Sequence, residues 1–400
     1  MRSRIFVFVL AAVGAAAAVE AEGPVRRVAQ PIRDEYVFVF KDGVAARGPE
    51  RAGGATVASV ESVAADLAGA HGAMVERLFR HALRGFAARM TTVQATALAA
   101  DPRVDYVEED GVVRLETTQT DATWGLDRID QRSLPLSTTF SYTNTGRGVT
   151  AYIIDTGIRF THSEFGGRAV SGFDAVDGGS ADDCNGHGTH VSGTVGGATY
   201  GVAKEVRLVA VRVLGCLGFG SNAKVIAGID WVTGDHASGT PAVANMSLGS
   251  TSTSDALDAA VRNSIAGGVS YVLAAGNGNL IGIPKDACNT SPARVTEAMT
   301  VSATNKDDRK PFWANFGDCV DWFAPGVGIT SAWKTSDTAT ATLTGTSMAA
   351  PHTTGVAALY LQSNPSATPA QVRDALFDKT TKGIVRRSRS ANNHLLFTDY

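Results

Sequence analysis

Three polar residues lie at positions where the sequence predicts that a strand or a loop meets a helix. Asp155 follows an apolar run and begins Asp-Thr-Gly, His187 lies in Asn-Gly-His-Gly-Thr-His, and Ser347 lies in Gly-Thr-Ser-Met-Ala-Ala-Pro. A serine hydroxyl is a poor nucleophile until an imidazole accepts its proton, and a carboxylate holds that imidazole in the required tautomer. In the chain order Asp, His, Ser, these residues predict covalent catalysis by a serine.

Each motif also has a simpler explanation when it is considered alone. Asp-Thr-Gly begins the signature of aspartic proteases, but that mechanism needs two carboxylates, and the sequence contains no second Asp-Thr-Gly or Asp-Ser-Gly. His187 and His190 are spaced like two metal ligands one helical turn apart, but the Glu of a His-Glu-x-x-His zinc site is absent. Ser347 is also a suitable helix cap.

The sequence also disfavours two other classes of function, an esterase and a non-catalytic peptide-binding protein. An esterase on a similar sheet would need Gly-x-Ser-x-Gly, which residues 345–349 do not match. A non-catalytic peptide-binding protein would lack one of the three polar residues, and all three are present here.

The elements that must position these residues form an alternating pattern from Trp124 onward. Short apolar strands are predicted at 149–154, 208–213, 242–246 and 270–274, and helices at 223–232 and 255–266. This alternation indicates an α/β domain with a mostly parallel twisted sheet flanked by helices. Ligands bind at the carboxyl ends of the strands in such sheets, and Asp155 lies at one of these ends.

The segment from about residue 35 to residue 116 predicts a small α+β unit. Strands are expected at 35–40, 75–79, 85–90 and 104–107, and helices at 57–72 and 92–100. Ser59, near the start of the first helix, is a candidate cap. The resulting order β-α-β-β-α-β is the ferredoxin-like arrangement.

The N-terminus has the features of an export signal. Arg2 and Arg4 precede an apolar run at residues 5–19, and Val19-Glu20-Ala21 offers small residues for a signal peptidase. The run is shorter than the roughly 20 residues that a membrane-spanning helix needs, which disfavours a permanent anchor. We therefore expect a signal peptide at 1–21 and a secreted protein that has no membrane contact after the signal is removed.

The chain has 4 cysteines, and all of them lie beyond residue 180. In an exported protein this even set predicts two disulfides, and the sequence alone permits three pairings. Closure of local loops favours Cys184–Cys216 and Cys288–Cys319, each closing about thirty residues and contributing roughly 3–4 kcal/mol in the chain-entropy model. A zinc site is disfavoured because no pair has Cys-x-x-Cys spacing.

Composition excludes some partners. The chain of 400 residues is 44% hydrophobic and 19% charged, which is enough apolar sequence for a sizeable core. Its formal net charge of -3 provides no general attraction for nucleic acid or for an anionic membrane surface. We therefore expect neither as a partner.

Several long motifs resemble those of subtilisin-like serine peptidases, in particular the proteinase K branch and its aqualysin-like members. They include Trp-Gly-Leu-Asp-Arg-Ile-Asp at 124–130, the motifs around His187 and Ser347, Tyr-Gly-Val-Ala at 200–203, Asn-Met-Ser-Leu-Gly at 245–249 and Ala-Ala-Gly-Asn at 274–277. The similarity runs from about Thr117 nearly to the C-terminus, so a peptidase domain is expected at 117–400. The preceding unit resembles the inhibitory propeptide of the same family, which places a propeptide at 22–116.

The resemblance implies a secreted serine endopeptidase that acts on proteins and peptides. It implies that Ser347 attacks the peptide carbonyl, that His187 acts first as base and then as acid, and that Asp155 orients His187. The backbone N–H of Ser347 and the side-chain amide of Asn277 would stabilise the oxyanion. Because His187 accepts a proton only when it is neutral, activity should rise through neutral pH towards mildly alkaline pH.

Substrate is expected to bind as an extended strand between exposed protein edges. By resemblance these edges are Ser247-Leu248-Gly249 and Gly218-Phe219-Gly220, and the pocket wall for the side chain before the cut bond is Ala274-Ala275-Gly276. No charged residue occurs in that wall, so apolar or aromatic side chains should be preferred. The resemblance also implies that the propeptide covers the cleft, with its tail near residues 115–117, until the precursor cleaves itself. We expect the enzyme to be a monomer.

Calcium is implied by the resemblance, and no organic cofactor is expected. One site would use Asp321 with the carbonyls of Thr296 and Ala298, and a second would use Asp127, Asp130 and Gln131 as oxygen ligands.

The sequence departs from the family pattern in three places. Residues 278–285 are several more than relatives usually have after Asn277, and they are expected to reshape the rim of the cleft or to shift Asn277. Phe219 is bulky for a substrate-binding edge, and Ser250 replaces a second glycine. Thr353 and Thr354 place hydroxyls on a helix that should be buried.

Overall fold

The computed structural model describes residues 25–28, 31–45, 58–111, 117–279 and 281–400. The chain divides into two compact units, Met1–Arg114 and Leu115–Tyr400, and each has its own sheet and hydrophobic core. The signal peptide predicted at 1–21 lies outside the described residues, as do residues 115 and 116 of the predicted propeptide tail.

The first unit combines a five-stranded sheet with two helices. Within its described part the elements are β1 (Val25–Arg26), β2 (Pro31–Phe40), α1 (Val60–Ala70), β3 (Met74–Phe79), β4 (Gly85–Arg89), α2 (Thr92–Ala99) and β5 (Val104–Gly111). The strand order is β1-β5-β2-β4-β3; β1 pairs with β5 in parallel and the other neighbours are antiparallel. The predicted β-α-β-β-α-β order is therefore confirmed, and β1 is an additional strand that the sequence pattern does not predict.

Capping residues and apolar faces explain why these helices form. Ser59 accepts a hydrogen bond from the N–H of Ser62, so α1 begins at Val60 and not at residue 57 as predicted. Thr91 and Gln94 form a capping box at the start of α2. Both helices share a core with Phe38 and Phe86, whose rings stack with their centroids 4.7 Å apart.

The second unit is built on a nine-stranded sheet in the order β17-β18-β14-β13-β12-β11-β8-β10-β9, within the described residues. Apart from the antiparallel pair β17–β18, its neighbouring strands are parallel. Its elements are β6 (Thr117–Thr120), α3 (Trp124–Ile129), β7 (Thr139–Tyr142), β8 (Thr150–Asp155), β9 (Ala169–Asp174), α4 (His187–Gly196), β10 (Arg207–Arg212), α5 (Asn222–Asp235), β11 (Ala242–Met246), α6 (Asp255–Ala266), β12 (Ser270–Ala274), β13 (Met299–Thr304), β14 (Trp322–Pro325), β15 (Ile329–Ala332), β16 (Thr340–Leu343), α7 (Thr346–Ser363), α8 (Pro369–Lys379), β17 (Thr381–Lys382) and β18 (His394–Leu395).

Helices cover both faces of this sheet, as predicted for an α/β domain. Successive residues of a strand point to opposite faces, and β8 shows this clearly. Ala151 and Ile153 belong to the core that includes residues of α4 and α7, whereas Tyr152 and Ile154 belong to the core that includes residues of α5 and α6. The central strands are mostly apolar because they are buried on both faces.

The parallel arrangement brings several polar residues to one edge of the sheet. Asp155 is the last residue of β8, Ser247 follows the end of the adjacent β11, and Asn277 lies just beyond the end of β12. The remaining predicted residues lie at the starts of two helices. His187 is the first residue of α4, and Ser347 is the second residue of α7.

Two disulfides join loops of the second unit. The structure pairs Cys184 with Cys216 and Cys288 with Cys319, which is the pairing that local loop closure favours. The first links the segment before α4 to the loop after β10. The helices that the structure describes are all too short or too polar to cross a bilayer.

Candidate active site

Asp155 lies fully buried at the carboxyl end of β8. Its Oδ1 accepts a hydrogen bond from the N–H of Thr156 at 2.7 Å, and both carboxylate oxygens contact Nδ1 of His187, at 2.7 and 2.9 Å. An ionised carboxylate can only accept hydrogen bonds, so Nδ1 of His187 carries the proton. The other ring nitrogen, Nε2, is then free to accept a proton from a nucleophile.

Burial and nearby negative charge shift the pKa of His187 in opposite directions. Burial on its own would lower the pKa of His187, but attraction to the Asp155 carboxylate, the hydrogen bond to it and the charge of Asp183 together raise that pKa above the ordinary histidine value. The side chain keeps 26% of its surface exposed, which leaves it accessible to a substrate. An imidazole with these properties is suited to general base catalysis near neutral pH.

Asp183, which the sequence analysis did not identify, anchors the helix that carries His187. Its Oδ1 accepts the N–H of Gly186 at 2.8 Å, and its Oδ2 accepts the N–H of Thr189 at 2.9 Å. Thr156 donates its hydroxyl to Asp183 at 3.0 Å and accepts the N–H of Gly188 at 2.9 Å. These contacts attach the N-terminus of α4 to the end of β8; an Asp shortly before a helix start is the sequence signal for such an anchor.

Ser347 lies in the first turn of α7, where the backbone N–H groups have no hydrogen-bond partner within the helix. Its hydroxyl donates to the carbonyl of Ser247 at 3.1 Å, and the hydroxyl of Ser247 donates to the carbonyl of Ser347 at 2.8 Å. Among the described contacts there is no hydrogen bond between Ser347 and His187. Such bonds are often long or absent without substrate, and rotation of the Ser347 side chain releases its hydroxyl from Ser247.

The side-chain amide of Asn277 is oriented by the start of α7. Its Oδ1 accepts the N–H and the hydroxyl of Thr346, at 2.9 and 3.0 Å. Because a backbone N–H can only donate, the atom facing it must be the amide oxygen, and Nδ2 must point the other way. Within the described part of the chain Nδ2 has no hydrogen-bond partner, and it lies close to Gly345, two residues before Ser347.

Asn315 holds the loop that contains Asn277 and was also missed by the sequence analysis. Its Oδ1 accepts the N–H groups of Gly278 and Lys285, at 3.0 and 2.8 Å, and its Nδ2 donates to the carbonyl of Ala275 at 2.7 Å. Gly276 has φ +100, and a Cβ there would lie 2.6 Å from Nδ2 of Asn315. The close approach of Asn315 therefore requires glycine at this position.

Two adjoining cavities contain the residues predicted to bind substrate. A cavity of about 430 Å³ is lined by His187, Gly218-Phe219-Gly220 and Ser247-Leu248-Gly249. A cavity of about 220 Å³ shares Ser247-Leu248-Gly249 and is lined further by Ala274-Ala275-Gly276, Asn277 and Ser347. The predicted edges, pocket wall and polar residues thus surround one cleft.

Two protein families match different parts of the chain. Residues 146–396, more than half of the chain, match the subtilase family, and residues 35–116 match peptidase inhibitor I9. The chain belongs to the subtilase family. Its first unit carries the inhibitor match.

Similar proteins support this assignment over most of the chain. This subtilase is 55% identical over 334 residues to an extracellular serine proteinase of Thermus sp. (strain Rt41A), covering 83% of this chain and 80% of the relative. It is 49% identical over 376 residues to alkaline serine exoprotease A of Vibrio alginolyticus, covering 92% and 68%. The crystal structure of a cold adapted subtilisin-like serine proteinase is 52% identical with a TM-score of 0.67, covering 70% of this chain and 100% of that structure.

These similarities confirm several predictions. This subtilase is a serine endopeptidase that resembles the aqualysin-like members of the proteinase K branch, and proteins are its substrates. The Thermus relative is named an extracellular proteinase, which confirms the prediction that this protein is secreted. The inhibitor match confirms that the chain carries its own inhibitory unit.

The two threonines on α7 are accommodated by hydrogen bonds. Thr353 and Thr354 are fully buried, but Nε1 of Trp322 donates to the Thr353 hydroxyl at 3.0 Å, and the Thr354 hydroxyl donates to Oδ1 of Asn245 at 2.8 Å. Nδ2 of Asn245 in turn donates at 2.9 Å to the hydroxyl of Ser247, which contacts the carbonyl of Ser347. The unusual hydroxyl of Thr354 is therefore connected to the cleft of this subtilase.

The extra residues after Asn277 form a turn that leaves Asn277 attached to α7. Oδ1 of Asn279 accepts the N–H groups of Ile281 and Ile283, at 3.1 and 3.0 Å. The ammonium of Lys285 donates to the carbonyl of Thr251 at 2.8 Å, so the segment reaches across to the chain that follows the 247–249 edge. Of this segment, residue 280 lies outside the described residues.

The contacts of Asp321 do not fit the predicted calcium site. Its Oδ1 accepts a hydrogen bond from Arg373 at 2.5 Å, and its Oδ2 accepts the N–H of Thr300 at 2.7 Å. Burial raises the pKa of Asp321 to about 6, although the charge of Arg373 opposes this shift. One carboxylate oxygen of Asp321 is paired with a guanidinium and the other with a backbone N–H, so the described contacts leave neither oxygen free for a cation shared with the carbonyls of Thr296 and Ala298.

The residues of the second predicted calcium site have different contacts. Asp127 accepts hydrogen bonds from Ser137 and Thr138 on both of its carboxylate oxygens. Asp130 accepts the N–H of Ser141 on Oδ2, but its Oδ1 is buried and lacks a partner among the described atoms. Nε2 of Gln131 donates to the carbonyls of Ser133 and Pro135, at 2.6 and 2.8 Å. An unpartnered buried carboxylate oxygen beside a second carboxylate fits a hard cation.

We predict that Asp155→Asn will lower activity and move its pH dependence. Loss of the carboxylate removes the attraction that raises the pKa of His187, so the acid limb of kcat/KM should shift to lower pH. The ring would also lose its preferred tautomer, and kcat should fall by about 10⁴-fold. Both are read from kcat/KM measured between pH 5 and pH 9.

Asp182→Asn is the matched control, because Asp182 is an exposed neighbour of Asp183 that does not contact His187. Its pH profile should match that of the unaltered enzyme. An acid limb that stays in place in Asp155→Asn would show that His187 does not set it.

Proposed function

We propose that Asp155, His187 and Ser347 form the catalytic triad of this secreted serine endopeptidase and that Asn277 completes its oxyanion hole. The observation that carries the proposal is the hydrogen bond from Nδ1 of His187 to the buried Asp155 carboxylate. It leaves Nε2 as the proton acceptor at the cleft, where Ser347 also lies.

The residues act in two steps. Nε2 of His187 takes the hydroxyl proton of Ser347 as its Oγ attacks the peptide carbonyl, and then gives the proton to the leaving amine. The Ser347 N–H at the start of α7 and Nδ2 of Asn277 donate to the oxyanion. A water molecule, activated by the same ring, then hydrolyses the acyl-enzyme and regenerates Ser347.

The small cavity supports a preference for apolar or aromatic side chains before the cut bond. Ala274, Ala275 and Gly276 form part of its wall, and none of the described residues that line it is charged. A carboxylate placed there would lose its hydration without gaining a partner. Phe219, with 81% of its surface exposed, and Leu248 add apolar surface to the neighbouring edges.

We predict that a peptide with Phe before the cut bond has at least about 100-fold higher kcat/KM than the same peptide with Glu, since the charged group must be desolvated. A matched peptide with Gln separates charge from size. Equal kcat/KM for Phe and Glu would contradict an apolar pocket.

The first unit is proposed to be removed by the enzyme itself. The inhibitor match ends at residue 116, and the chain from Thr117 pairs with Thr139–Tyr142 in the second unit. Cleavage near 116 would therefore separate an inhibitory propeptide at 22–116 from a peptidase at 117–400 without breaking a strand pair. The mature enzyme is proposed to act as a monomer, without nucleic acid or membrane partners.

We predict that Ser347→Ala stays at the length of the unprocessed precursor, because the attacking oxygen is missing. Mass spectrometry after expression checks this result. A phosphonylating reagent should label a single peptide of the unaltered enzyme, the one that contains Ser347.

Ser180→Ala, which changes an exposed serine in a loop, should mature and be labelled normally. Processing of Ser347→Ala at the same position, or a label on another residue, would refute the assignment of Ser347.

Calcium is proposed to bind at Asp130, together with oxygens of Asp127 and Gln131. Burial, with a smaller contribution from the charge of Asp127, raises the pKa of Asp130 to about 6, although the N–H of Ser141 opposes the shift. A cation there would supply the partner that Oδ1 lacks and stabilise the loop between α3 and β7.

We predict that a chelator lowers the Tm of the mature enzyme by several degrees, since a ligand at 100 times its Kd adds about 2.7 kcal/mol to the free energy of unfolding. In Asp130→Asn the chelator should have no effect on Tm, whereas Asp318→Asn, at an exposed position, should respond like the unaltered enzyme. An unchanged Tm in excess chelator would exclude this site.

A further inference from the structure

A third cavity, of about 650 Å³, lies apart from the two that hold the predicted substrate edges. Its lining combines positive charge with aromatic rings: Arg309, Arg387 and Arg389 lie beside Phe312 and Trp313. Among the residues that the structure describes, no carboxylate lines this cavity. The two parts of the chain are brought together by a backbone bridge between Arg309 and Arg386.

The positive charges at this cavity lack internal partners. Among the described contacts, the side chains of Arg309, Arg387 and Arg389 make no ion pair and no hydrogen bond; Arg389 lies over the ring of Phe316 at 3.6 Å. The nearby carboxylate of Asp308 pairs with the buried Arg128 at 2.7 Å and is not available to them. All three arginines are exposed, so the donors of their planar guanidinium groups are available to a ligand that carries a carboxylate.

Lys310 adds to the positive charge behind the cavity. Its ammonium is buried and donates to the carbonyls of Pro311 and Ala314, at 2.9 and 2.8 Å. Burial, and then the charge of Arg389, lowers the pKa of Lys310 to about 8. An anion in the cavity would reduce this repulsion.

None of the proposed catalytic residues lines this cavity, but two of its lining residues belong to segments that contact them. Val327 lines it and follows Gly326, whose carbonyl accepts the N–H of Gly345 at 2.8 Å, two residues before Ser347. Pro284 also lines it and belongs to the same loop as Asn277. The edges proposed for the residues before the cut bond line the other two cavities, which makes this cavity the candidate for the residues after the cut bond.

We propose that this cavity binds the part of a substrate that follows the cut bond and favours acidic side chains there. The proposal rests on the catalytic role proposed for Ser347. Guanidinium groups bind carboxylates through two parallel hydrogen bonds, and the three arginines provide such groups without a competing acid in the lining. Phe312, with 79% of its surface exposed, provides apolar contact for the stems of Asp and Glu side chains or for their neighbours.

The test compares peptides that are cut by the mature enzyme and differ only after the cut bond. Internally quenched peptides carry Phe before the bond and Glu, Gln or Lys at the second and third positions after it. We expect kcat/KM for the Glu peptide to exceed that for the Gln peptide by about 3- to 10-fold in dilute buffer, with the Lys peptide slowest. The ratio should decrease towards one at 1 M salt, because exposed charges are then screened.

Variants connect the preference to the cavity. In Arg309→Gln combined with Arg387→Gln the Glu to Gln ratio should fall to about one, whereas Arg309→Lys combined with Arg387→Lys should retain part of it. Arg207→Gln removes an exposed arginine at the start of β10, the opposite end of the strand from the cleft, and should leave the ratio unchanged. If the double Gln variant does not fold, the salt dependence of the unaltered enzyme and the Glu to Gln ratio of the double Lys variant still decide whether the arginines cause the preference.

The outcomes separate this inference from the proposed function. Equal kcat/KM for Glu and Gln peptides, or a preference that persists in the double Gln variant, would overturn the cavity proposal alone. If the enzyme cut none of the peptides, both this proposal and the proposed triad would fail.

Discussion

The rest of the second unit must hold one contact in place, the hydrogen bond between the buried carboxylate of Asp155 and the ring of His187. Burial lowers the pKa of His187, whereas the attraction to Asp155 at hydrogen-bond distance and the charge of Asp183 together raise it above the ordinary value. A strand end and a helix start that are 32 residues apart must therefore stay fixed relative to each other. Thr156 and Asp183 provide that attachment through bonds to the first turn of α4.

Buried hydroxyl and amide groups also fix the position of Ser347, the proposed nucleophile. Thr354, Asn245 and Ser247 form a chain of hydrogen bonds that reaches the carbonyl of Ser347. A buried polar group without a partner costs about 1–3 kcal/mol, so each member restricts the orientation of the next. Hydroxyls on α7 are tolerated here because Trp322 and Asn245 satisfy them, and they make the position of Ser347 depend on β11 as well as on its own helix.

The distribution of charge around the cleft differs from the average over the chain. The formal net charge is -3, yet the cavity beside Pro284 and Val327 is lined by arginines and the cavity beside Ala274 by uncharged residues. Local charge acts over about one Debye length, roughly 8 Å at physiological ionic strength. The two cavities therefore offer different electrostatic environments, and the net charge predicts neither.

The sequence by itself determined the elements whose signals are local. Buried strands such as β8 and β11, capped helices such as α1, and the motifs around Asp155, His187 and Ser347 are apparent because backbone pairing and amphipathic faces depend on nearby residues. Only the tertiary structure decided which side chains meet over long separations. Asp183 and Asn315 have no distinguishing motif, Asp321 turned out to face Arg373, and Arg309 lies beside arginines near residue 387. Such partners are set by how sheets and helices pack, because the same side chain can pair with any group that packing brings within reach.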